Sequence, residues 1–168
     1  MQIAGFRYQK DQKTVIRSLK LLPEHIHAYF VGDGVFKDEC IELAQNIGVS
    51  ERTHFMGART DVPELIKAAD IVVMSSHWEG FGLAAVEGMA ASRPTIASDV
   101  DGLREVVKDA GLLFEQGNES DLADKVMKLV DDKQLYEQIA HQCFDRAQKY
   151  DISVMVGGYI KVYNELSK

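Results

Sequence analysis

Cysteine, proline and tryptophan are scarce in this chain, and their scarcity excludes several classes of protein. The 168 residues include two cysteines, three prolines and one tryptophan. Cys40 and Cys143 stand far apart and in no Cys-x-x-Cys or Cys/His ligand spacing, so the sequence predicts neither a disulfide framework nor a zinc site. We expect both thiols to be buried and inert in a reducing compartment.

Positive charge and long apolar runs are also limited. Lys and Arg number 19 against 26 Asp and Glu, a formal net charge of −7, so no uniform basic face is present to neutralise a nucleic-acid backbone. No run approaches the roughly 20 apolar residues that span a bilayer, and residues 1–7 lack the pattern of a signal peptide. We therefore expect a cytoplasmic chain with no nucleic-acid partner and no transmembrane segment.

What the chain does contain is enough apolar sequence for one core. Hydrophobic residues make up 46% and charged residues 27%, which is typical of a globular domain that needs no metal or disulfide to fold. We find no internal repeat, low-complexity tract or linker-like stretch. Residues 1–168 are therefore expected to form a single domain.

Short β-rich runs alternate with longer segments of helical period, a pattern typical of βαβ units. The predicted strands are Gln2–Phe6, His27–Val31, Thr53–Met56, Ile71–Met74, Thr95–Ser98 and Gly111–Leu113. The predicted helices are Gln12–Leu22, Lys37–Ile47, a short helix capped by Asp61, Gly82–Ala91, Glu119–Val130, Lys133–Lys149 and Ile152–Ser167. We expect an α/β fold, a Rossmann-like doubly wound parallel sheet of about six strands with helices on both faces and a helical C-terminus.

The most informative segment, residues 75–90, runs from a strand end through a glycine-containing loop into a helix. Open α/β sheets bind ligands at such places. Gly80 and Gly82 permit close backbone approach, and the free N–H groups at the helix start would suit a phosphate. A tight βα turn also needs glycine, so this feature alone leaves a purely structural interpretation open.

Two carboxylates bracket this helix start. Glu79 lies just before it and Glu87 lies inside, roughly 7–8 Å along the axis at about 1.5 Å per residue. A carboxylate accepts hydrogen bonds from two vicinal hydroxyls, so a diphosphate at the helix end could carry a ribose near one Glu and a sugar near the other. Because an unpaired buried carboxylate is costly on so apolar a helix, the alternative for Glu87 is a partner such as Arg93 or Arg104.

The Glu79–Glu87 pair matches the E-x7-E signature of GT-B glycosyltransferases, and the chain resembles the retaining family 4 (group 1) enzymes. Other segments resemble family motifs in family order: residues 5–12, 31–34, 55–57, 61–62, 69–76, 87–90 and 98–107. The resemblance covers nearly the whole chain and corresponds to the C-terminal, donor-binding half of the fold. It implies that an N-terminal acceptor-binding domain is missing from this sequence.

The resemblance implies a catalytic pair and a ribose contact. Glu79 would contact hydroxyls of the transferred sugar, and Lys10 would stabilise the departing diphosphate. Glu87 would contact the nucleotide ribose.

Further donor contacts are also implied by the resemblance. The backbone at Phe81, Gly82 and Leu83 would hold diphosphate or sugar oxygens. The loop after the third strand, with Gly57 and Arg59, would contact the base.

One position departs from the family pattern. An Arg commonly ends the first strand, whereas this chain has Gly5-Phe6 there and Arg7 as the nearest arginine. Like charges at 4 Å cost roughly 4 kcal/mol at an effective dielectric near 20, so a diphosphate beside two carboxylates needs more than Lys10 and a helix end. We therefore predict that Arg7 substitutes as a donor-binding cation, or else that the donor binds more weakly.

The function implied is transfer of a sugar from a nucleoside-diphosphate sugar to an acceptor glycan, lipid or small molecule, as in polysaccharide biosynthesis. The donor is the expected partner, and the acceptor would bind through the missing domain, so the isolated chain would turn over poorly. No metal or other cofactor is implied, and Asp99 and Asp101 do not form a metal-binding pattern. The full-length protein could still contact a membrane peripherally.

Three other functions fit parts of the pattern. A nucleotide-sugar epimerase would bind similar donors, and a non-catalytic nucleotide-binding module would need only the donor site. A nicotinamide-dependent oxidoreductase is disfavoured because residues 5–10 contain no G-x-G-x-x-G.

The last predicted helix carries a wide apolar stripe, which another surface must cover. In the family it packs on the N-terminal domain; a second copy is another partner, but we expect it to pack on its own domain.

Overall fold

The computed structural model describes residues 1–167 and has alternating strands and helices, as predicted. The strands are β1 Gln2–Ile3, β2 Ala28–Val31, β3 Thr53–Gly57, β4 Val72–Met74, β5 Thr95–Ser98 and β6 Leu112–Phe114. The helices are α1 Gln12–Leu19, α2 Lys37–Asn46, α3 Val62–Ala68, α4 Leu83–Ala90, α5 Asp101–Val107, α6 Glu119–Asp131, α7 Lys133–Ala147 and α8 Ile152–Leu166. Single 3-10 turns occur at Tyr8–Lys10, Ser50–Arg52 and Gln148–Tyr150.

The strands form two parallel sheets of three, β1-β2-β3 and β4-β5-β6. The sheets meet at Met1, whose nitrogen donates to the Ile71 carbonyl (2.7 Å) while Val73 N donates to the Met1 carbonyl (2.8 Å). The spatial order is therefore β3-β2-β1-β4-β5-β6, which confirms the doubly wound prediction. The strand order reverses between β1 and β4, and such switch points bind ligands at their carboxyl ends.

The core lies between this sheet and the helices packed on it. The largest side chains with at most 1% exposure include Phe6, Phe30 and Phe114. Cys40 and Cys143 are both buried, as predicted. Burial raises the pKa of each thiol to about 11, so both stay protonated and unreactive at neutral pH.

The first predicted strand and the first predicted helix are longer than the observed elements. β1 ends at Ile3, although Ala4 N still donates to Val31 O at the end of β2 (2.9 Å) and Phe6 N donates to Asp33 O just beyond it (3.0 Å). α1 ends at Leu19, and residues 20–22 close with i→i+3 bonds before Pro23. Tight terminal turns satisfy the last carbonyls where proline prevents the helix from continuing.

The sequence pattern did not predict α5, which is short and has glycine in its first turn. A Cβ added at Gly102 would lie 2.2 Å from the Glu79 carbonyl oxygen and 2.7 Å from that of Gly80. The helix therefore needs glycine at a position where helix propensity disfavours it, and this close approach fixes α5 against the loop after β4.

The prediction that α8 packs on its own domain is wrong. Each of the described residues of α8 is exposed, including Leu166 at 80% and Tyr163 at 66%. The apolar stripe is therefore open in this chain, and a continuous exposed apolar surface typically marks an interaction site. Among residues 1–167, no helix is both long enough and apolar enough to cross a membrane.

Candidate functional site

Two loops meet where β1 and β4 end, and hydrogen bonds join them. His77 N donates to the Gln9 carbonyl (2.8 Å), and Gln9 Nε2 donates to the Trp78 carbonyl (2.8 Å). These reciprocal bonds hold the loop after β1 against the loop after β4, at the switch point of the sheet.

Buried polar side chains fix the backbone beneath the two loops. Ser75 Oγ lies 3.0 Å from the Lys10 carbonyl and 2.8 Å from that of Asp11, and Gln2 Nε2 donates to the Lys10 carbonyl at 2.8 Å. Gln2 and Ser75 are 2% and 0% exposed. Because these groups are buried and bonded, they determine where the Lys10 side chain starts.

Lys10 and Glu79, the predicted catalytic pair, are in contact. Lys10 Nζ donates to Glu79 Oε2 in an ion pair whose side chains are 20% and 13% exposed. Gly80 N donates to the other oxygen of Glu79 at 3.2 Å. The structure thus brings together a cation and a carboxylate, partly shielded from water, at the ligand-binding edge of the sheet.

The amino end of α4 opens beside this ion pair. Gly82 has φ of 85°, and the first helical bonds run from Ala85 N and Val86 N to its carbonyl, at 2.9 and 3.3 Å. The amides of Leu83 and Ala84 precede those bonds and have no intrahelical acceptor. An N-terminus of this kind favours an anion through its N–H groups and through the helix dipole.

Glycine at position 82 is needed for two reasons. Its backbone is left-handed, and a Cβ there would lie 2.5 Å from Leu103 Cδ2. The neighbouring side chains of Phe81 and Leu83 are exposed, at 41% and 69%, so their backbone is open to a ligand.

Glu87 is exposed rather than buried, so the expectation of a buried carboxylate is wrong. It stands one turn beyond Leu83, on the open face of a helix whose other side packs on β4. Neither suggested partner is used, because Arg93 donates to the Lys67 carbonyl (2.6 Å) and Arg104 binds two aspartates. Its carboxylate is therefore open to a ligand.

The predicted base-contacting loop is held by its own ion pair. Arg59 donates to Asp61 from Nε (2.8 Å) and Nη2 (2.6 Å). The side-chain hydrogen bond raises the pKa of Arg59 and lowers that of Asp61. Asp61 therefore does not cap α3 with its side chain as predicted, although Pro63 does lie in the first turn. Gly57 turns the chain out of β3 with φ of 67°.

Arg7 is exposed and lines a cavity of about 310 Å³ together with Lys13 and Arg17. Lys10 and Glu79 do not line this cavity. The structure therefore places Arg7 in the same loop as Lys10 but beside a separate group of cations.

A larger cavity, about 990 Å³, lies at the other end of the sheet, where the strands begin. Met1, Ala28 and Ile71 are among its mainly apolar lining residues. None of the predicted site residues lines it. The large cavity and the predicted site residues therefore lie at opposite ends of the sheet. We place the site at the carboxyl ends, where the charged groups and the open helix end converge.

Sequence reasoning did not single out Asp11. Its backbone is left-handed (φ 43°), and its carboxylate bonds Thr14 Oγ1 (2.6 Å) and lies 3.8 Å from His77 Nδ1. An acidic residue directly before a predicted helix is an N-cap signal, so its capping role could have been predicted from the sequence. Its position beside His77 depends on long-range packing.

Comparison with known proteins identifies the family of the chain. The family model for glycosyl transferases group 1 matches residues 1–146. The chain belongs to the group 1 glycosyl transferases. A relative in this family, the uncharacterized glycosyltransferase MJ1178 of Methanocaldococcus jannaschii, is 38% identical over 171 residues, 98% of this chain and 47% of its own length.

Solved structures show that this group 1 chain has the fold of a GT-B glycosyltransferase domain. The crystal structure of Anabaena Alr3699/HepE in complex with UDP aligns with a TM-score of 0.93 at 26% identity, covering 98% of this chain and 48% of that one. The C-terminal domain of the glycosyl transferase group 1 family protein LpcC from Francisella tularensis aligns with a TM-score of 0.80 at 30% identity, covering 90% and 85%. The chain spans a little under half the length of the first curated relatives it matches.

Proposed function

We propose that this chain is the donor-binding, C-terminal domain of a retaining GT-B glycosyltransferase of family 4 that takes its sugar from a nucleoside diphosphate. The observation that carries the proposal is the Lys10–Glu79 ion pair beside the open amino end of α4, at the switch point of the sheet. The single-domain prediction for residues 1–168 stays part of this proposal.

The donor's charge is matched by Lys10 and the helix end. In the free protein Lys10 is neutralised by Glu79; an arriving diphosphate competes for the ammonium group and gains the amides of Leu83 and Ala84. Glu79 then exchanges its hydrogen bond from Lys10 for hydrogen bonds from the sugar hydroxyls. Exchange of one anion for another keeps the cation paired at every stage, which matters at a partly buried site.

The chemical contribution proposed for these residues is electrostatic. As the bond from the sugar to the diphosphate breaks, negative charge grows on the leaving oxygen, and Lys10 with the dipole of α4 stabilises it. Glu79 holds the sugar ring so that its anomeric carbon faces the acceptor. The acceptor's hydroxyl oxygen forms the new bond to the anomeric carbon, and its proton passes to the departing diphosphate. Retention of the anomeric configuration belongs to the proposal.

The remaining donor contacts are proposed from the same geometry. Glu87 binds the ribose, since it is exposed one turn inside α4. The backbone of Phe81, Gly82 and Leu83 holds phosphate or sugar oxygens. Gly57 and Arg59 border the base. UDP is the first candidate nucleotide because the Anabaena relative was crystallised with it.

The second half of the enzyme is proposed to cover α8. The open apolar stripe of α8 is what an N-terminal domain would bury. The match to a C-terminal domain from Francisella tularensis supports the assignment of this chain to the C-terminal half. The acceptor, a glycan, lipid or small molecule, would bind across the two halves. A cytoplasmic location, a role in polysaccharide biosynthesis, peripheral membrane contact of the longer protein and catalysis without a metal or other cofactor are parts of the same proposal.

Calorimetric titration with UDP, GDP, ADP and NAD tests the class of ligand. We expect one nucleoside diphosphate to bind and NAD not to bind. Binding of NAD alone would favour an oxidoreductase and contradict the proposal. Interconversion of a nucleotide sugar without acceptor would favour the epimerase, although membership of the group 1 family supports transfer.

A further inference from the structure

Three aromatic side chains cluster at the mouth of the proposed donor site. The ring centroid of Tyr8 lies 4.9 Å from that of His77 and 5.9 Å from that of Trp78, and the last two are 6.4 Å apart. Tyr8 is 63% and Trp78 55% exposed. We call these three residues the aromatic platform; it leaves apolar ring surface open to solvent next to charged groups.

The platform is held in place by bonds from several loops. The Gln9 carbonyl accepts a hydrogen bond from His77 N, and the Gln9 side chain donates one to the Trp78 carbonyl. The His77 ring nitrogen Nδ1 lies 3.2 Å from Gln116 Nε2 and 3.8 Å from Asp11 Oδ2. Aromatic rings fixed in this way offer contact area at a low cost in conformational entropy. Such a surface is prepared for a ligand rather than left by loose packing.

The platform is continuous with the proposed catalytic pair. Trp78 directly precedes Glu79 in the chain, and Tyr8 lies two residues before Lys10. The two bonds of Gln9, to His77 N and to the Trp78 carbonyl, hold the loop that carries Lys10 against the loop that carries Glu79. A molecule resting on the rings therefore lies beside the sugar that Glu79 is proposed to hold.

A cavity adjoins the platform on its polar side. Tyr8 and His77 line the cavity of about 310 Å³, whose wall also includes Asp11, Gln12 and Arg17. This volume is at the lower end of the ~300–1,000 Å³ of small-molecule pockets, so it suits one ring rather than a dinucleotide. Aromatic faces beside carboxylate, amide and guanidinium groups complement a ligand with an apolar face and a hydroxyl-bearing edge.

We propose that the aromatic platform binds a sugar ring of the acceptor, so that this half of the enzyme contributes to acceptor choice. The inference rests on the proposed function. A pyranose presents weakly positive C–H groups on its face, which pack on the negative faces of aromatic rings, while its hydroxyls reach the polar cavity wall. Because transfer requires the acceptor hydroxyl beside the donor's anomeric carbon, the surface next to Glu79 is where this half of the enzyme would touch it.

The fluorescence of Trp78 gives a direct test, because it is the chain's one tryptophan. The chain saturated with UDP is titrated with methyl α-D-glucopyranoside, methyl β-D-galactopyranoside and N-acetyl-D-glucosamine at millimolar concentrations. We expect at least one sugar to change the emission saturably, and Tyr8→Ala to weaken that binding by about three- to tenfold. Tyr159→Ala, which removes a similarly exposed tyrosine on α8, should have no effect.

The possible results separate this inference from the proposed function. If UDP binds and no sugar changes the Trp78 emission, the platform is not a sugar site and the donor proposal stands. If a sugar binds equally well to Tyr8→Ala but is lost in Glu79→Gln, it occupies the donor's sugar position, and the inference is overturned. If UDP itself fails to bind, both the inference and the proposed function are contradicted.

Discussion

At the scale of single residues, the contact between Lys10 and Glu79 determines how the site meets an anion. Both side chains are mostly shielded, so neither charge is fully hydrated, and each requires a counter-charge. In the proposed donor complex, a diphosphate would supply that counter-charge to Lys10, and sugar hydroxyls would supply hydrogen bonds to Glu79. The two residues are therefore expected to affect different parts of the donor.

Replacement of Lys10 tests this division. Lys10→Met should weaken UDP binding by about tenfold or more, because a charge-assisted bond to phosphate is lost. Lys20→Met, which removes an exposed lysine at the other end of α1, is the matched control and should bind normally. Calorimetry at constant ionic strength measures both, and equal affinities for the two variants would exclude Lys10 from the phosphate site.

Arg7 is the nearest arginine to Gly5-Phe6, the position where this chain departs from the family pattern. If it supplies the second cation, Arg7→Ala should lower UDP affinity by about three- to tenfold. Arg17→Ala removes a charge from the same cavity but from α1 rather than the loop, and should leave the affinity unchanged. An unaltered affinity in Arg7→Ala would refute the substitution.

Because both thiols are buried, we predict that the free energy of unfolding falls at alkaline pH. Their pKa is about 11 in the folded chain against 9.0 when exposed, so folding favours the protonated form. The contribution of each protonated thiol to the free energy of unfolding is complete below pH 9 and is lost as the pH rises towards 11. Urea unfolding should therefore show a steeper loss above pH 9 in the wild type than in a Cys40→Ala, Cys143→Ala double variant. Parallel curves for the two proteins would contradict it.

At the scale of elements, what could be predicted from the sequence depended on local pattern. The apolar runs of β2, β4 and β5 and the glycine-rich turn before α4 follow from local chemistry, and their predicted positions agree with the structure within one or two residues. α5 was not predicted because its glycine serves a contact with residues 79 and 80 far away in the chain. The exposure of Glu87 likewise depends on which face of α4 meets β4.

The close approach of α5 to the site loop is testable by adding one methyl group. Gly102→Ala places a Cβ against backbone oxygen at 2.2 Å, so the loop must move, at a cost of about 1–3 kcal/mol. We expect a lower melting temperature and weaker UDP binding. Gly80→Ala is the control for stability only, because nothing lies within 4 Å of its Cβ and its φ is not left-handed.

Thermal unfolding followed by circular dichroism measures both glycine variants. A Gly102→Ala chain as stable as Gly80→Ala would mean that the loop after β4 is not held by α5. The loop's position would then have to come from the bonds of Gln9 and from those of Ser75 and Ser98.

At the scale of the whole molecule, the sheet divides at β1 and β4, and the site occupies the carboxyl ends of both. The doubly wound parallel sheet followed from the alternating pattern and the family resemblance, and its strand order came from the structure. The open face of α8 could not be predicted, because whether a helix packs on its own domain depends on surfaces outside the helix. Its exposure fits a chain that spans under half the length of its relatives.

The central claim is that a nucleoside diphosphate binds at the switch point, and NMR of the ¹⁵N-labelled chain titrated with UDP tests it most directly. The account predicts amide shifts concentrated at Lys10 and at residues 80–84, with binding weakened in Glu87→Gln. Shifts concentrated at the amino ends of the strands, around the large cavity near Ala28 and Ile71, would contradict it.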